Sequence, residues 1–295
     1  MNSCQRSAPG LILTTAVLIS MMACAEPEID DMRLGGQRYR AEDAVRFKLP
    51  KVLREISGLA LDDADRLFAI NDEKGVIYEI DYHEGRVLRR FGLLGGVRED
   101  FEGIAVSGET MFLVTSGGTI YRFPVGDPEQ MVPFDHFPHA LDCEVEGLTL
   151  SRTRDNLLVA CKNQLVNDKS IGLVIHRWQL GEASYLPSDA LSVPRPYLRE
   201  FLAASGRSDI KKVQPTGLAV AANGNLIVLA GRQHLLLELT ADGKLAGLAN
   251  LDGSYHRQAE GIAITANRIL LIADEGDGKG DNKSRGRLSV YEPAK

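Results

Sequence analysis

Hydrophobic residues along this 295-residue chain recur in pairs of short runs separated by a polar turn. In each pair a glycine precedes the first apolar run, and the second run, rich in leucine and β-branched residues, ends in polar or small residues. Short apolar runs bounded by turn residues are typical of buried β-strands. The pattern therefore predicts five hairpins, at residues 55–73, 100–118, 144–163, 214–232 and 258–276.

The hairpins are evenly spaced along the chain. A third strand follows each pair, as in GVIYEIDY and GRLSVYEP, and GRVLRRFGLL and GKLAGLANL indicate a fourth strand after glycine-containing turns. Four antiparallel strands repeated every 40–45 residues or so are the unit of a β-propeller blade. We therefore predict an all-β fold, a five-bladed β-propeller. The motif glycines are separated by 45, 44, 70 and 44 residues, and they are Gly58, Gly103, Gly147, Gly217 and Gly261.

Two further segments complete this prediction. The last repeat ends without a fourth strand, while AVRFKLP, residues 44–50, is a strand without a repeat of its own. Pairing the two would close the ring and remove exposed edges. The longest spacing holds a helical apolar pattern in YLREFLAAS, followed by Gly206, which suits a helix end. We expect a short helix between blades three and four, which either covers the ring or rims a pocket.

The N-terminus has the pattern of a secretory leader, in which an apolar run follows a single basic residue. Cys24, directly after Ala23, is similar to the lipidated cysteine of bacterial lipoproteins, although Met21 stands where leucine is usual. Ordinary signal-peptidase cleavage after Ala25 is the alternative. We expect residues 1–23 to be a lipoprotein-type signal peptide, residues 24–42 a tether and residues 43–295 the propeller.

These signals place the mature protein outside the cytoplasm. A lipid on Cys24 would anchor it to a membrane, and Ala25 in the next position favours the periplasmic side of the outer membrane. A soluble periplasmic protein is the alternative. No mature segment has the roughly 18 consecutive apolar residues that a spanning helix needs.

Composition restricts the partners and the redox state. A formal net charge of −6 and a pI of about 5.6 argue against nucleic acid as a partner, and we expect a monomer. Cys143 and Cys161 lie at the same end of a predicted hairpin. An extracytoplasmic compartment permits a disulfide between them, whereas two buried thiols are the alternative.

The residues before the five motif glycines are candidates for a site on the propeller axis, because the innermost strands line the central channel. They are Ser57, Glu102, Glu146, Thr216 and Glu260. The ends of the neighbouring strands add Asp72 and Glu73 in blade one and Asp274 and Glu275 in blade five, while Lys162 in blade three is a candidate counter-ion. Converging carboxylates raise one another's pKa, and Ca²⁺, which takes oxygen ligands, would offset their charge.

Two other interpretations of these residues stay open. The Glu-Gly pairs could shape the turns between blades, with glycine at positive φ and glutamate bonded to a neighbouring backbone. A catalytic role is the other, although the sequence has no G-x-S-x-G, H-E-x-x-H, Walker or G-x-G-x-x-G motif. We expect His136, His139 and His256 to lie on solvated loops.

The motifs EISGLALD…LFAINDEKGVIYEID, DFEGIAV, CEVEGLTL…LVACKN, QPTGLAV and QAEGIAI…LLIADEG resemble the SdiA-regulated family of bacterial envelope proteins, related to NHL-type and phytase-like propellers. The resemblance covers about residues 43–293. It implies a five-bladed propeller with a calcium site and no established catalytic activity. Thr216, where the family often has an acid, and TSGG in blade two, which lacks an acid after the second strand, imply an asymmetric site.

We therefore expect an envelope-anchored, non-enzymatic propeller that binds Ca²⁺ near its axis and presents one face to a protein or small-molecule ligand. The rival is a calcium-dependent hydrolase of phosphoesters or lactones on the same scaffold.

Overall fold

The computed structural model describes residues 31–138, 141, 143–164, 171–180, 190–276 and 284–295. The expected signal peptide, Cys24, His139 and the first part of the tether, residues 24–30, lie outside these residues. No helix in the described ranges is long and apolar enough to cross a membrane.

The strands form five sheets of the predicted propeller and one separate hairpin. The hairpin is β1 (Met32–Leu34) and β2 (Gln37–Tyr39), and β3 (Val45–Lys48) follows it. Blade one is β4 (Ile56–Leu61), β5 (Leu67–Asn71), β6 (Val76–Asp81) and β7 (Arg86–Leu93), and blade two is β8 (Phe101–Ser107), β9 (Thr110–Thr115), β10 (Ile120–Pro124) and β12 (Asp135–Phe137). Between β10 and β12 in sequence, β11 (Met131–Val132) crosses to blade one and pairs in parallel with β7.

The remaining blades follow the same antiparallel order. Blade three is β13 (Cys143–Leu150), β14 (Asn156–Gln164), β15 (Ile171–Gln179) and β16 (Leu191–Pro194), and blade four is β17 (Gly217–Val220), β18 (Leu226–Ala230), β19 (Leu235–Leu239) and β20 (Leu245–Asn250). Blade five is β21 (Ala259–Ile264), β22 (Leu270–Asp274) and β23 (Arg287–Tyr291), with N-terminal β3 paired to β23 as the fourth strand.

The hydrophobic core is divided among the interfaces between successive blades. Described buried residues form five clusters, one for each neighbouring pair of blades. The second strands of blades one, four and five are buried at every position, because both of their faces are covered by other blades. This explains why these strands read as continuous apolar runs in the sequence.

The single α-helix among the described residues is the predicted one. Helix α1 (Arg195–Ala204) follows blade three and ends before Gly206, which has a φ of 77°. Its Leu198 and Leu202 are buried in the cluster between blades three and four. The helix therefore covers this interface, as expected for a segment with apolar residues on one side.

The motif glycines form a closed ring of backbone contacts between blades. A Cβ atom on Gly58 would lie 3.3 Å from the Cα of Gly103, and one on Gly103 would lie 2.7 Å from the backbone nitrogen of Leu148. The contacts continue from Gly147 to the Gly217 Cα at 3.2 Å, from Gly217 to the Glu260 carbonyl oxygen at 3.1 Å and from Gly261 to the Gly58 carbonyl carbon at 3.4 Å. None of the five has a positive φ, so the interpretation in which they allow positive φ is wrong. Glycine is required at these positions because the neighbouring inner strands are in contact and leave no room for a Cβ atom.

The folded domain begins earlier than expected. The hairpin of β1 and β2 lies inside the expected tether, yet Met32, Leu34 and Tyr39 are buried between blades four and five. The turn is fixed by a hydrogen bond of 3.0 Å from the backbone N–H of Gly35 to the Glu238 carboxylate. Packing of three large apolar side chains therefore makes residues 32–39 part of the propeller.

Candidate functional site

A backbone irregularity sets the direction of the candidate side chains. In blade one Ile56 pairs with Asn71 and Gly58 with Ile70, so Ser57 is an extra residue opposite no partner. Glu102 and Glu260 are the extra residues at the same place in blades two and five. Bulges of this kind bend a strand and redirect a side chain. A small cavity lined by residues of all five inner strands, Ser57, Glu102 and Glu260 among them, lies at this end of the axis.

We call this opening the acidic mouth, defined by Ser57, Glu102, Glu146, Thr216 and Glu260. The five residues do not contribute equally. Thr216 is buried, donates a hydrogen bond of 2.7 Å to the Ala259 carbonyl and accepts one of 3.2 Å from the Gly231 N–H. Its hydroxyl is used to join blades four and five.

Glu102 is a half-buried carboxylate among other acids. Ser57 donates a hydrogen bond of 3.2 Å to its Oε2. Burial, followed by the charges of Glu146 and Asp100, raises the pKa of Glu102 to about 9. Without a bound cation the folded protein therefore holds Glu102 protonated at neutral pH.

Glu146 has a counter-ion, as the sequence suggested. Lys162 donates a hydrogen bond to Glu146 and lies 3.7 Å from Glu144. Burial raises the pKa of Glu146, and the Lys162 ammonium opposes this rise. Burial also lowers the pKa of Lys162, but the bond and charge of Glu146 outweigh it, so that pKa lies above its ordinary value. This pair reduces the capacity of Glu146 to bind a metal ion.

Glu260 lacks such a partner. Its carboxylate makes no hydrogen bond or ion pair with the described part of the chain. Burial, and then the charge of Glu146, raises its pKa to about 8, although Lys162 and Arg232 oppose the shift. Glu102 and Glu260 are therefore the carboxylates of the mouth that most need a cation.

Asp72 and Glu275 form a second acidic group beside the mouth, between blades one and five. Burial raises the pKa of Asp72 to about 6, with further contributions from Glu55, Glu73 and Asp100. Its Oδ1 is buried without a hydrogen-bond partner among the described residues. Burial also raises the pKa of Glu275, helped by the charges of Asp72 and Glu55. The sequence indicated Asp72 and Glu275 but gave no reason to single out Glu55.

Two predicted ligands lie elsewhere. Glu73 is exposed and faces Arg98 at 3.4 Å. Asp274 is buried, and its Oδ2 lies 2.8 Å from Nδ1 of His256, whose Nε2 lies 2.5 Å from the Tyr291 hydroxyl. Glu73 is thus a surface residue, and Asp274 belongs to a hydrogen-bonded chain inside the domain.

His256 corrects another expectation, because it is fully buried rather than solvated. His136 is exposed, as expected, but it lies in strand β12 rather than in a loop. The sequence offered one signal for the buried chain, since Asp274 ends a strand with no polar residue before it. The sequence did not identify His256 as the partner of Asp274, because His256 lies in the loop before blade five and only the fold brings the two together.

The oxygen donors at the acidic mouth are of the type that calcium prefers, but the carboxylates are not closely spaced. Carboxylate and hydroxyl oxygens are the ligands that Ca²⁺ prefers, and Glu102, Glu260 and Ser57 supply them. Among the described residues, however, no three carboxylates place ligand atoms within 4.8 Å of one another. A cation at the mouth would therefore bind few protein ligands and keep several waters.

Cys143 and Cys161 form a disulfide in the structure. It joins β13 and β14 at the end of blade three that also carries Glu146 and Lys162. The opposite end of the axis opens into a cavity of about 360 Å³. Apolar residues of the inner strands line it, and Asp63 and Arg154 form an ion pair of 3.2 Å at its edge.

Replacing Glu260 by glutamine is expected to raise the melting temperature at pH 8.5 by several degrees in the presence of chelator. The folded-state pKa of about 8 exceeds the ordinary 4.5, so the wild type loses stability as pH rises through this interval. One pKa unit corresponds to about 1.4 kcal/mol, and 1 kcal/mol to roughly 2–4 °C. At pH 5 the folded wild type holds the proton, and glutamine should change little.

Thermal melts at the two pH values check this prediction. Glu84, an exposed acid in a blade-one turn, provides the control Glu84→Gln, which should leave the pH dependence unchanged. An unaltered pH profile in Glu260→Gln would contradict the prediction.

Comparisons with known proteins agree with this architecture. Residues 34–164 match the family model described as SdiA-regulated. No curated protein matches the chain. A similar solved structure is glutaminyl cyclase from Myxococcus xanthus, with a TM-score of 0.58 and 14% identity over 85% of this chain and 97% of that one.

Two further solved structures are more distant. Aldose sugar dehydrogenase from Streptomyces coelicolor in its PQQ-bound form has a TM-score of 0.45 and 13% identity, over 84% of this chain and 98% of that one. Streptogramin B lyase has a TM-score of 0.44 and 14% identity, over 85% and 87%. At these identities a likeness concerns the fold alone. The resemblance to the SdiA-regulated family that the motifs indicated is confirmed over residues 34–164, which carry the first three glycine repeats.

Proposed function

We propose that the protein is an envelope-anchored, non-enzymatic propeller that binds Ca²⁺ at the acidic mouth and presents this face to a protein or small-molecule ligand. The observation that carries the proposal is the position of Glu102 and Glu260. Both residues lie at bulges, and both line the small cavity at this end of the axis. Glu102 accepts a hydrogen bond only from Ser57 among the described residues, and Glu260 accepts none.

The cation would offset a local electrostatic cost. Buried like charges destabilise the folded state unless they are protonated or paired. Lys162 already forms an ion pair with Glu146, so Glu102 and Glu260 are the carboxylates that remain available to an external ion. With few protein ligands and retained waters, the site belongs to the weak class of calcium sites, with a Kd of about 10⁻⁴–10⁻³ M.

Calcium titration of the full chain tests the proposal. We expect one ion per chain at pH 7.5, and stabilisation by about 2.7 kcal/mol when free Ca²⁺ is 100 times the Kd. Glu260→Gln and Glu102→Gln should each weaken binding by roughly 10-fold or more, whereas Glu84→Gln should not. Lys162→Gln should strengthen binding, because it leaves Glu146 free to join the ligands.

Isothermal titration calorimetry and thermal melts with and without chelator provide the measurements. Absence of calcium binding together with an unchanged melting temperature in chelator would show that the calcium proposal is wrong. Tighter binding in Lys162→Gln is the more specific result, because a non-specific surface ion would respond little to this substitution.

One observation favours the hydrolase as a second candidate. A carboxyl group that stays protonated at neutral pH is the form a general acid needs, and while no cation is bound at the mouth the pKa of about 9 gives Glu102 this form. Hydrolysis of a phosphoester or lactone that is lost in Glu102→Gln would support an enzyme. An inactive wild type across such a panel would leave the binding role in place.

The anchoring part of the proposal is tested separately. Cys24→Ser is expected to move the protein from the membrane fraction to the soluble fraction, because the thioether-linked lipid could no longer form. Cys4→Ser is the matched control, since residue 4 lies in the expected signal peptide. An unchanged distribution of Cys24→Ser after fractionation would exclude lipid anchoring at this residue.

A further inference from the structure

A second group of potential ligands lies in blade three, on side chains that the acidic mouth does not use. Cys143, Cys161 and His176 stand on the neighbouring strands β13, β14 and β15. The two sulfur atoms and one imidazole nitrogen all lie within 4.8 Å of one another. Among the described residues no other group of three histidine, cysteine or acidic ligand atoms is this compact.

The strand register explains why the three meet. Val159 pairs with His176, and Cys161 lies two residues along the same strand, so Cys161 and His176 share a face of the sheet. Cys143 is bonded to Cys161 with a Cα separation of 5.6 Å. The cysteines are each 4% exposed and belong to the apolar cluster between blades two and three.

We propose that the reduced form of this cluster binds a thiophilic d¹⁰ cation, Zn²⁺ or Cu⁺, through Cys143, Cys161 and His176, and that the disulfide is its closed, metal-free form. Thiolate and imidazole ligands select these ions over Ca²⁺ and Mg²⁺. Zinc takes sulfur at about 2.3 Å and nitrogen at about 2.0 Å in tetrahedral geometry, which places two sulfur atoms about 3.7 Å apart. The ligand atoms therefore need only small movements once the S–S bond is broken.

The conversion between the disulfide form and the metal-bound form balances in electrons and protons. A dithiol reductant supplies two electrons and two protons, which convert the disulfide into two thiols, and it becomes a disulfide itself. Zn²⁺ then displaces the two thiol protons. In the reverse direction a disulfide-bearing oxidant accepts two electrons, the sulfur atoms rejoin and the ion is released. Metal occupancy of the cluster thus follows the thiol redox state of the compartment.

Metal binding by the full chain carrying Cys4→Ser and Cys24→Ser, in mild detergent, tests the proposal, because only Cys143 and Cys161 then remain as thiols. After reduction with a phosphine we expect one tightly bound Zn²⁺ per chain by elemental analysis. Co²⁺ should give the sulfur-to-cobalt charge-transfer absorption, which separates thiolate binding from binding at the acidic mouth. The oxidised chain should show neither.

The variants separate a three-ligand site from a simple dithiol. His176→Ala should weaken Zn²⁺ binding by more than the roughly 10–100-fold that loss of an outer-shell partner costs, whereas His83→Ala, in an exposed turn, should have no effect. His176→Ala keeps the disulfide, so a cooperative melt of its oxidised form checks folding. Failure of the reduced chain to bind zinc, equal binding by the oxidised chain, or unchanged affinity in His176→Ala would each overturn the proposal.

Discussion

Replacing His256 by leucine is expected to lower the free energy of unfolding by about 3–5 kcal/mol, the cost of leaving a buried carboxylate without its partner. The imidazole is fully buried and lies 2.8 Å from Asp274 and 2.5 Å from the Tyr291 hydroxyl. Leucine fills a similar volume but leaves the Asp274 carboxylate without a partner among the described residues, since its other oxygen already has none.

A double-mutant cycle in chemical denaturation provides the measurement. Asp274→Leu combined with His256→Leu should be less destabilised than His256→Leu alone, because replacing both partners with apolar groups removes the unsatisfied charge. A single variant as stable as the wild type, or a double variant with merely additive losses, would contradict the importance of this pair. Asp274 would then be free for another role.

Replacing Gly103 by alanine is expected to destabilise the propeller by about 1–3 kcal/mol, the usual cost of overpacking. The new Cβ would lie 2.7 Å from the backbone nitrogen of Leu148 in the next blade. Because the neighbour is backbone, relief requires two blades to move apart. The strain is therefore transmitted around a ring in which every inner strand contacts the next.

Gly117→Ala is the matched control for this substitution. A Cβ there has only the Thr115 hydroxyl near it, at 3.9 Å, so we expect a change within about 0.5 kcal/mol. Urea unfolding of both variants compares them directly. Equal stabilities of Gly103→Ala and Gly117→Ala would mean that contact between the inner strands does not limit stability.

Repetition made much of the architecture predictable. The five glycine motifs fix the number of blades, since a strand–turn–strand pattern repeated every 44 residues or so has few solutions besides a propeller. The strand in residues 44–50 and the helix in YLREFLAAS were also visible, because local apolar periodicity reports local structure. The predicted helix is confirmed as α1, Arg195–Ala204.

The candidate site was predictable only in outline. The position before each motif glycine identified Glu102, Glu146 and Glu260, and a bulge, which alternation alone does not reveal, turns them inward. Lys162 could be proposed as a counter-ion but not assigned to Glu146. The packing of the hairpin at residues 32–39 against the propeller was missed because three-residue strands next to an expected leader carry too little pattern to separate them from a tether.

The sequence by itself determined the repeat, the strand order within each blade and the acids that precede the glycines, because these depend on neighbours a few residues apart. Only the tertiary structure decided which charges meet. It placed Asp274 beside His256, Glu73 on the surface and Lys162 on Glu146. The reason is physical: whether a carboxylate lacks a counter-charge depends on burial and on groups brought from other blades, and these are set by how the ring closes.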